Sequence, residues 1–146
     1  MAAELWAVLT ALCWAFGSFF EKKGVRLGGF SPVLGAAIRT TVSVLVLAAM
    51  SYPFWRQLKD AGPKPILMVA ISGGVFSGAL GIMFLYFALN GGNLSIVLPI
   101  AFCLTPVIGV VLGVIFMKET MNTYQFLGIL LTIIGATMTA YFREHG

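Results

Sequence analysis

The stretch LSIVLPIAFCLTPVIGVVLGVIFM, residues 94–117, contains no charged residue and is long enough to cross a lipid bilayer as a helix. Four other apolar segments accompany it, at residues 5–20, 31–52, 65–89 and 124–142. At about 1.5 Å rise per residue, the last four of the five segments extend about 28 to 38 Å, against about 30 Å for a hydrocarbon core. The sequence therefore predicts an all-α, polytopic membrane protein with five transmembrane helices.

The composition also indicates a membrane protein. Hydrophobic residues make up 60% of the 146 residues and charged residues 10%, and the mean hydropathy is +0.99. No soluble domain has this profile. Few residues remain outside the segments, so we expect a single transmembrane domain, 1–146, in the cell (inner or plasma) membrane.

The first segment is short, and we expect its helix to continue past Glu21 and Lys22, whose long side chains reach the headgroups. The opening sequence MAAEL has no basic region, and no small-residue cleavage site follows promptly. Both observations argue against a secretory signal peptide. The segment is therefore predicted to be a true membrane span.

Catalytic and metal-binding patterns are absent from the sequence. Cys13 and Cys103 lie in different apolar segments without a neighbouring His, and His145 is the penultimate residue. No GxSxG, HExxH, phosphate-binding loop or paired carboxylates occur. We therefore expect no enzyme activity, no metal and no cofactor. The net charge of +4 is attributed to anchoring of helix ends rather than to a nucleic-acid partner.

The connections between the segments are short. Residues 54–64 form the longest loop, and Pro65 is expected to begin the third helix, because proline is favoured in a first helical turn. The sequence NGGN at 90–93 predicts a tight turn between the third and fourth spans. KETMNT at 118–123 joins the fourth and fifth. The expected fold is a compact up-and-down bundle.

The basic residues outside the spans divide evenly between the two sides of the membrane. One side receives Arg56, Lys59, Lys64 and Lys118, and the other receives Lys22, Lys23, Arg26 and Arg143. Orientation follows the excess of Lys and Arg in short loops, so this chain has little bias toward either direction. An odd number of spans without bias predicts two copies in opposite orientation, paired as the inverted repeats found within single transporter chains.

Several short motifs follow one another in a recognisable order. The second half of the chain contains YFAL at 86–89, then Pro106, Glu119, Gly128 and Gly135, and the first half contains FEK at 20–22, SP at 31–32 and Arg39. This order and spacing resembles an EamA-type repeat of the drug/metabolite transporter superfamily. Most members have ten spans built from two such repeats, whereas this chain has one, as in small five-span bacterial and archaeal members. The resemblance implies a metabolite transporter that works as at least a dimer.

Arg39 is the clearest candidate for substrate binding. It lies about 12 Å along a helix that starts at Ser31, well inside the apolar layer. An intramembrane Arg normally faces a partner or a watery cavity. Three interpretations follow. Arg39 binds anionic groups of a substrate, or it stabilises the fold by contacting a carboxylate or backbone carbonyls. In the third, its side chain snorkels to the membrane interface. Trp14, Ser18 and Tyr86 complete the predicted substrate-binding set, although Tyr86 is equally explained as an interfacial anchor.

Glu21 and Glu119 are the two carboxylates close enough to the membrane to couple transport to protons. Both lie near helix ends, where a carboxylate is usually hydrated and partnered by a neighbouring Lys. Proton coupling and helix-end anchoring therefore both remain open. The four-span multidrug exporters of the superfamily carry a glutamate in the middle of the first helix, where this chain has Trp14 and Ser18. Proton-driven export of lipophilic cations is accordingly disfavoured.

The fourth and fifth spans carry features expected to govern movement and assembly. Pro99 and Pro106 interrupt the hydrogen bonding of the fourth span, which makes it either a hinge for alternating access or a static kink. Small residues permit close helix packing, and a ladder of them on the last span predicts a subunit contact. The predicted dimer-packing residues are Gly128, Thr132, Gly135 and Ala136, with Ala140 continuing the ladder.

These patterns together predict a secondary-type transporter of a small metabolite, working by alternating access as a dual-topology homodimer of ten helices. Its expected partners are a second copy of itself, the lipid bilayer and a small molecule that the sequence does not identify. Two alternatives remain. One is an accessory membrane subunit without transport activity, and the other is a flippase for lipid-linked substrates.

Overall fold

The computed structural model describes residues 2–142, so Arg143 and His145 lie outside the described residues. All regular structure in the described part is helical, and five helices there are long and apolar enough to cross a membrane. The prediction of an all-helical fold with five segments able to cross a membrane is thus confirmed. The spans are Ala3–Gly28, Pro32–Phe54, Pro63–Gly91, Leu94–Phe116 and Thr123–Tyr141.

The chain forms two compact units that divide between Gly91 and Gly92. The first unit begins with helix α1, Ala2–Gly28, which continues past Glu21 and Lys22 as the sequence predicted. Gly29 then takes a positive φ of 60° and ends the helix, a conformation that glycine adopts without steric cost.

Helix α2, Pro32–Ser51, starts from a well-formed N-cap. The side chain of Ser31 accepts a hydrogen bond from the backbone N–H of Leu34 at 3.2 Å, which satisfies a donor that the first turn leaves without a helical partner. Pro32 occupies the first turn, where its missing N–H has no consequence. A 3₁₀ turn, Tyr52–Phe54, extends the helix at its other end.

The connection to the third span contains a short helix, α3, Gln57–Ala61. Gly62 follows with a φ of 74°, and helix α4, Pro63–Val69, begins immediately after it. The third span therefore starts at Pro63, and the prediction that Pro65 starts it was wrong by about half a turn. Gly62 leaves the helical conformation between α3 and α4, so the first proline after it opens the helix.

The third span is not a uniform α-helix. After α4, residues Ala70–Gly81 form a π-helix, and helix α5, Ile82–Gly91, completes the span. A π-helix joins each N–H to the carbonyl five residues earlier and occurs mostly as single turns, often at functional sites. Within this unit, α5 packs against α2 and α1, and Val25, Ala36 and Tyr86 form its small buried core.

The second unit is a pair of packed helices, α6, Leu94–Phe116, and α7, Thr123–Tyr141. A capping box starts α7: Asn122 accepts from the backbone of the first turn, and the Gln125 side chain accepts from the Asn122 backbone N–H at 2.8 Å. The box satisfies orphan donors reciprocally, and it fixes the point at which the connection from α6 re-enters a helix.

Candidate functional site

An ion pair joins α1 and α2 in the first unit. The Nε of Arg39 lies 2.7 Å from the Oε1 of Glu21, and the exposed fractions of the two side chains are 25% and 19%. Placing an Arg at the centre of a membrane helix costs about 2.5–3.5 kcal/mol on insertion scales. A carboxylate at hydrogen-bonding distance offsets that cost, and such charge-assisted bonds are stronger than neutral ones.

Trp14 contacts the same guanidinium from α1. The Arg39 Cζ lies 5.6 Å from the centroid of the Trp14 ring, within the range of a cation–π interaction. Trp14 and Glu21 are seven residues apart, so both side chains lie on one face of α1. Arg39 is therefore held by a carboxylate and by an aromatic ring of the same helix.

Tyr86 of α5 completes this group, and it is 4% exposed. Its side chain interacts with the carboxylate of Glu21. Gly35 makes this placement possible, because a Cβ added there would lie 2.6 Å from the Tyr86 Cε1 and 2.9 Å from a methyl of Val25. Gly35 lies one turn before Arg39, so the Tyr86 ring packs against α2 close to the ion pair.

Ser18 is buried on the same face of α1, between Trp14 and Glu21 in the helical repeat. Next to Glu21 and Tyr86 is a cavity of about 10 Å³ that also reaches Asn90. This volume holds about one water molecule. The first unit thus gathers polar and aromatic groups without containing, at this cavity, the space that a metabolite needs.

The structure brings together three of the four predicted substrate-binding residues, Trp14, Arg39 and Tyr86, around Glu21. Ser18 shares their helix face. The partner of Arg39 was not identified from the sequence, which suggested a neighbouring Lys for Glu21. The available signal was the helical repeat of α1, since Glu21 continues the spacing set by Trp14 and Ser18. Nothing in the sequence except the glycine indicated that the Tyr86 ring packs closely against α2 at Gly35.

Glu119 lies in the second unit, in the connection between α6 and α7. Its side chain is exposed to a cavity of about 360 Å³ and folds back over Gly113 near the end of α6. Glu21 and Glu119 therefore have different surroundings, one beside a cation and an aromatic group, the other at a helix end. The proposed coupling of either carboxylate to protons stays a prediction.

Both prolines of the fourth span lie inside α6, which continues unbroken from Leu94 to Phe116. Pro99 is half-buried and Pro106 is exposed. The Thr105 hydroxyl donates to the carbonyl of Ala101 at 2.8 Å, a bond that often accompanies helix bending. The choice between a hinge and a static kink remains open.

The small residues of α7 have different surroundings. A Cβ added at Gly128 or Gly135 would meet no atom within 4 Å. Thr132 is half-buried and its hydroxyl donates to the Gly128 carbonyl at 2.9 Å, whereas Ala136 is buried. Gly128 and Gly135 are therefore the members of the ladder with open space, and their role in a subunit contact stays a prediction.

Five apolar helices with an ion pair between two of them define a multi-pass membrane protein. The sequence matches the EamA-like transporter family over residues 1–141. The chain belongs to this family, and the resemblance inferred from its motifs is confirmed.

Two relatives are similar to the chain. An uncharacterized protein of Methanocaldococcus jannaschii is 43% identical over 72 residues, which cover 49% of this chain and 51% of that protein. The matched part thus spans about half the length of this relative. A protein named as an uncharacterized transporter in the cobO 3′ region of a Sinorhizobium species is 29% identical over 141 residues, 95% of this chain and 96% of its own length. No solved structure matches the chain.

Proposed function

We propose that the chain is a secondary-type transporter of a small metabolite that works by alternating access as a homodimer of oppositely inserted copies in the cell membrane. Family membership and the name of the Sinorhizobium relative, which aligns over nearly its full length, support transport. The ion pair of Arg39 and Glu21 within membrane helices is the observation that carries the proposal. Polar groups at this depth are costly and commonly mark substrate or ion pathways.

The geometry at Arg39 favours a substrate that carries a carboxylate or phosphate. A guanidinium has five N–H donors in a planar fork, and Glu21 engages Nε. In the proposed complex, the other donors of the fork bind an anionic group of the substrate through two parallel bonds. The exposed ring of Trp14 beside the guanidinium offers an aromatic surface for the rest of the substrate, whereas the buried Tyr86 would position Glu21.

The size of the cavity supports a site that needs a second copy. The space beside Glu21 and Tyr86 holds about one water, whereas ligand pockets are usually about 300–1,000 Å³. In a homodimer of opposite orientation, each copy contributes its own Trp14, Ser18, Arg39 and Tyr86 to a shared central cavity. Gly128, Thr132, Gly135 and Ala136 of the last span supply the packing surface between copies.

Alternating access requires a helix that changes shape. Pro99 and Pro106 lack the N–H that would close their helical hydrogen bonds, so α6 bends at lower cost there than elsewhere. Glu21 is the group best placed to couple this movement to a proton, because protonation would weaken its hold on Arg39 and release the guanidinium to an anionic substrate. Glu119 is the second candidate for coupling.

Variants at the ion pair separate a substrate site from a structural contact. Arg39→Ala leaves the Glu21 carboxylate without its partner and is expected to lower the free energy of unfolding by about 1–3 kcal/mol. The double variant Arg39→Gln with Glu21→Gln removes both charges and is expected to recover most of the melting temperature. Arg39→Lys keeps the charge but loses the planar fork.

The readout is thermal stabilisation of the purified protein by a panel of small carboxylates and phosphate esters, since a ligand of the native state raises apparent stability. Wild type is expected to respond to at least one compound, Arg39→Lys to respond weakly, and the double variant to be stable but unresponsive. A double variant that is stabilised as strongly as wild type would reduce the ion pair to a structural role.

A further inference from the structure

The end of α6 holds Glu119 in a defined position in the second unit. Lys118 takes a positive φ of 55°, and the backbone N–H of Glu119 donates to the carbonyl of Gly113 at 3.2 Å. The Glu119 carboxylate then folds back along the helix, where its Oε2 would lie 2.6 Å from a Cβ added at Gly113. The carboxylate occupies the space left by the missing side chain of this glycine.

The electrostatics of this position favour a cation. The last carbonyls of a helix carry partial negative charge, which basic side chains usually balance. The last turn of α6 has no basic residue, and within residues 2–142 no ion pair involves Glu119, including with the preceding Lys118. In the described part of the chain the Glu119 carboxylate thus lies beside the negative end of the α6 dipole without an ion-pair contact, although Lys118 is adjacent in sequence.

A cavity of about 360 Å³ opens beside this carboxylate. Its polar end is the connection at Glu119 and Thr120, and its inner walls include Val110, Val114 and Ile129. It reaches Thr132, about 14 Å along α7 from the start of that helix, at about 1.5 Å per residue. The cavity thus runs from a charged group at the membrane boundary into apolar surroundings.

Besides Glu119, the cavity is lined by the polar side chains of Thr120, Gln125 and Thr132, and two of these have hydrogen-bond partners. The Gln125 carbonyl oxygen accepts from the Asn122 backbone, and the Thr132 hydroxyl donates to the Gly128 carbonyl. Calcium takes about six to eight oxygen ligands, and magnesium requires a nearly ideal octahedron. One carboxylate, with the Thr120 hydroxyl beside it and Val110, Val114 and Ile129 along the walls, supplies too few oxygen ligands for these ions, whereas it suits a monovalent ammonium group attached to an apolar body.

We propose that this cavity binds an amphipathic ammonium compound, with its charged head on Glu119 and its apolar part along α6 and α7. The site lies in a different unit from the ion pair of Arg39 and does not require transport. Gly128 and Thr132 line it and also belong to the proposed subunit contact, so a bound ammonium compound and a partner copy would compete for this surface. A free amine and the ammonium headgroup of a phospholipid share this chemistry. The two sources differ in whether binding persists in detergent without lipid.

The test uses the purified full-length protein in lipid-free nonionic detergent and measures its melting temperature. The probes are 2-phenylethylammonium, the neutral 2-phenylethanol and the anionic 3-phenylpropanoate, with micelles containing phosphatidylethanolamine or phosphatidylglycerol as the lipid arm. Stabilisation by 2-phenylethylammonium indicates a soluble amine, and stabilisation by phosphatidylethanolamine alone indicates the lipid. Equal stabilisation by the charged and neutral probes, or none by either ammonium source, overturns the proposal.

Four variants locate the site. Glu119→Gln keeps the shape but removes the charge and is expected to weaken ammonium binding at least tenfold, whereas Asp60→Asn, which removes a carboxylate from α3, is expected to leave it unchanged. Gly113→Ala displaces the Glu119 carboxylate and is expected to weaken binding several-fold. Gly109→Ala is the matched control, because its new methyl meets no atom within 4 Å. Binding that survives Glu119→Gln, or that falls equally in the two alanine variants, overturns the proposal.

Discussion

At Gly35 the missing side chain lets α2 approach the ring of Tyr86. A methyl there would lie 2.6 Å from Tyr86 and 2.9 Å from Val25. We expect Gly35→Ala to lower the melting temperature, because overpacking costs about 1–3 kcal/mol and exceeds the gain of about 1 kcal/mol in helix propensity.

The matched control is Gly24→Ala in α1, where an added Cβ meets no atom within 4 Å. This variant is expected to keep or raise the melting temperature. Thermal unfolding of the two purified variants, measured by intrinsic fluorescence, checks the difference. A Gly35→Ala protein as stable as the control would mean that Tyr86 moves aside freely and that α2 does not hold it beside Glu21.

Arg39 illustrates how much of the site the sequence reveals. Its depth in an apolar segment was enough to single it out, because a charge in a membrane requires an explanation. Its partner was not identified: the helical repeat of α1 placed Glu21 on the face of Trp14 and Ser18, but the pairing with Arg39 also depends on how α1 and α2 pack, which their loop does not determine. Gly35 illustrates the same limit. A glycine can occur in a helix for many reasons, and the ring of Tyr86 that packs against it belongs to a distant span.

The π-helix of the third span is the least expected element. The sequence of Ala70–Gly81 is apolar and rich in glycine, which predicts a membrane span and close packing but not a wider helical turn. Hydrophobic periodicity does not reveal it, because nearly every residue is apolar and the pattern has no contrast. The spans themselves were predicted well, since their length and lack of charge determine membrane insertion.

Gly78 provides a test of the π-helix. A Cβ at Gly78 would lie 2.8 Å from the backbone carbonyl oxygen of Gly73, whereas a Cβ at Gly74 would meet no atom within 4 Å. Because a backbone atom yields less easily than a side chain, we expect Gly78→Ala to lower the melting temperature and Gly74→Ala to leave it unchanged or raise it. Equal melting temperatures would contradict the wider turn at this point.

At the scale of the whole molecule, α7 offers a test of the proposed subunit contact. A Cβ added at Gly128 meets no atom within 4 Å, so Gly128→Leu adds bulk without a clash at its Cβ, although its side chain enters the cavity beside Glu119. We expect it to lower the crosslinked dimer fraction several-fold in detergent, because small residues permit the approach of two helices. Ala136 is already buried and is a poorer test.

Thr137→Leu is the matched control, since residue 137 lies on the opposite face of α7 from Gly128 at about 100° per residue. It is expected to leave the dimer fraction unchanged. If both leucine variants dimerise as wild type does, the subunit contact lies on another helix. If both lose the dimer, the effect is general to α7 rather than specific to the ladder.

The central claim is that two oppositely inserted copies form one transporter. The most direct test is the location of a reporter fused after Gly146. Equal numbers of basic residues on the two sides predict signal on both faces of the membrane, because the chain lacks an orienting bias. Three lysines added at 90–93 should give every copy the same orientation, so that the reporter signal appears on one face of the membrane. This variant should lose its ligand response unless an oppositely biased copy is supplied. A wild-type reporter found on one face alone would contradict the antiparallel pair.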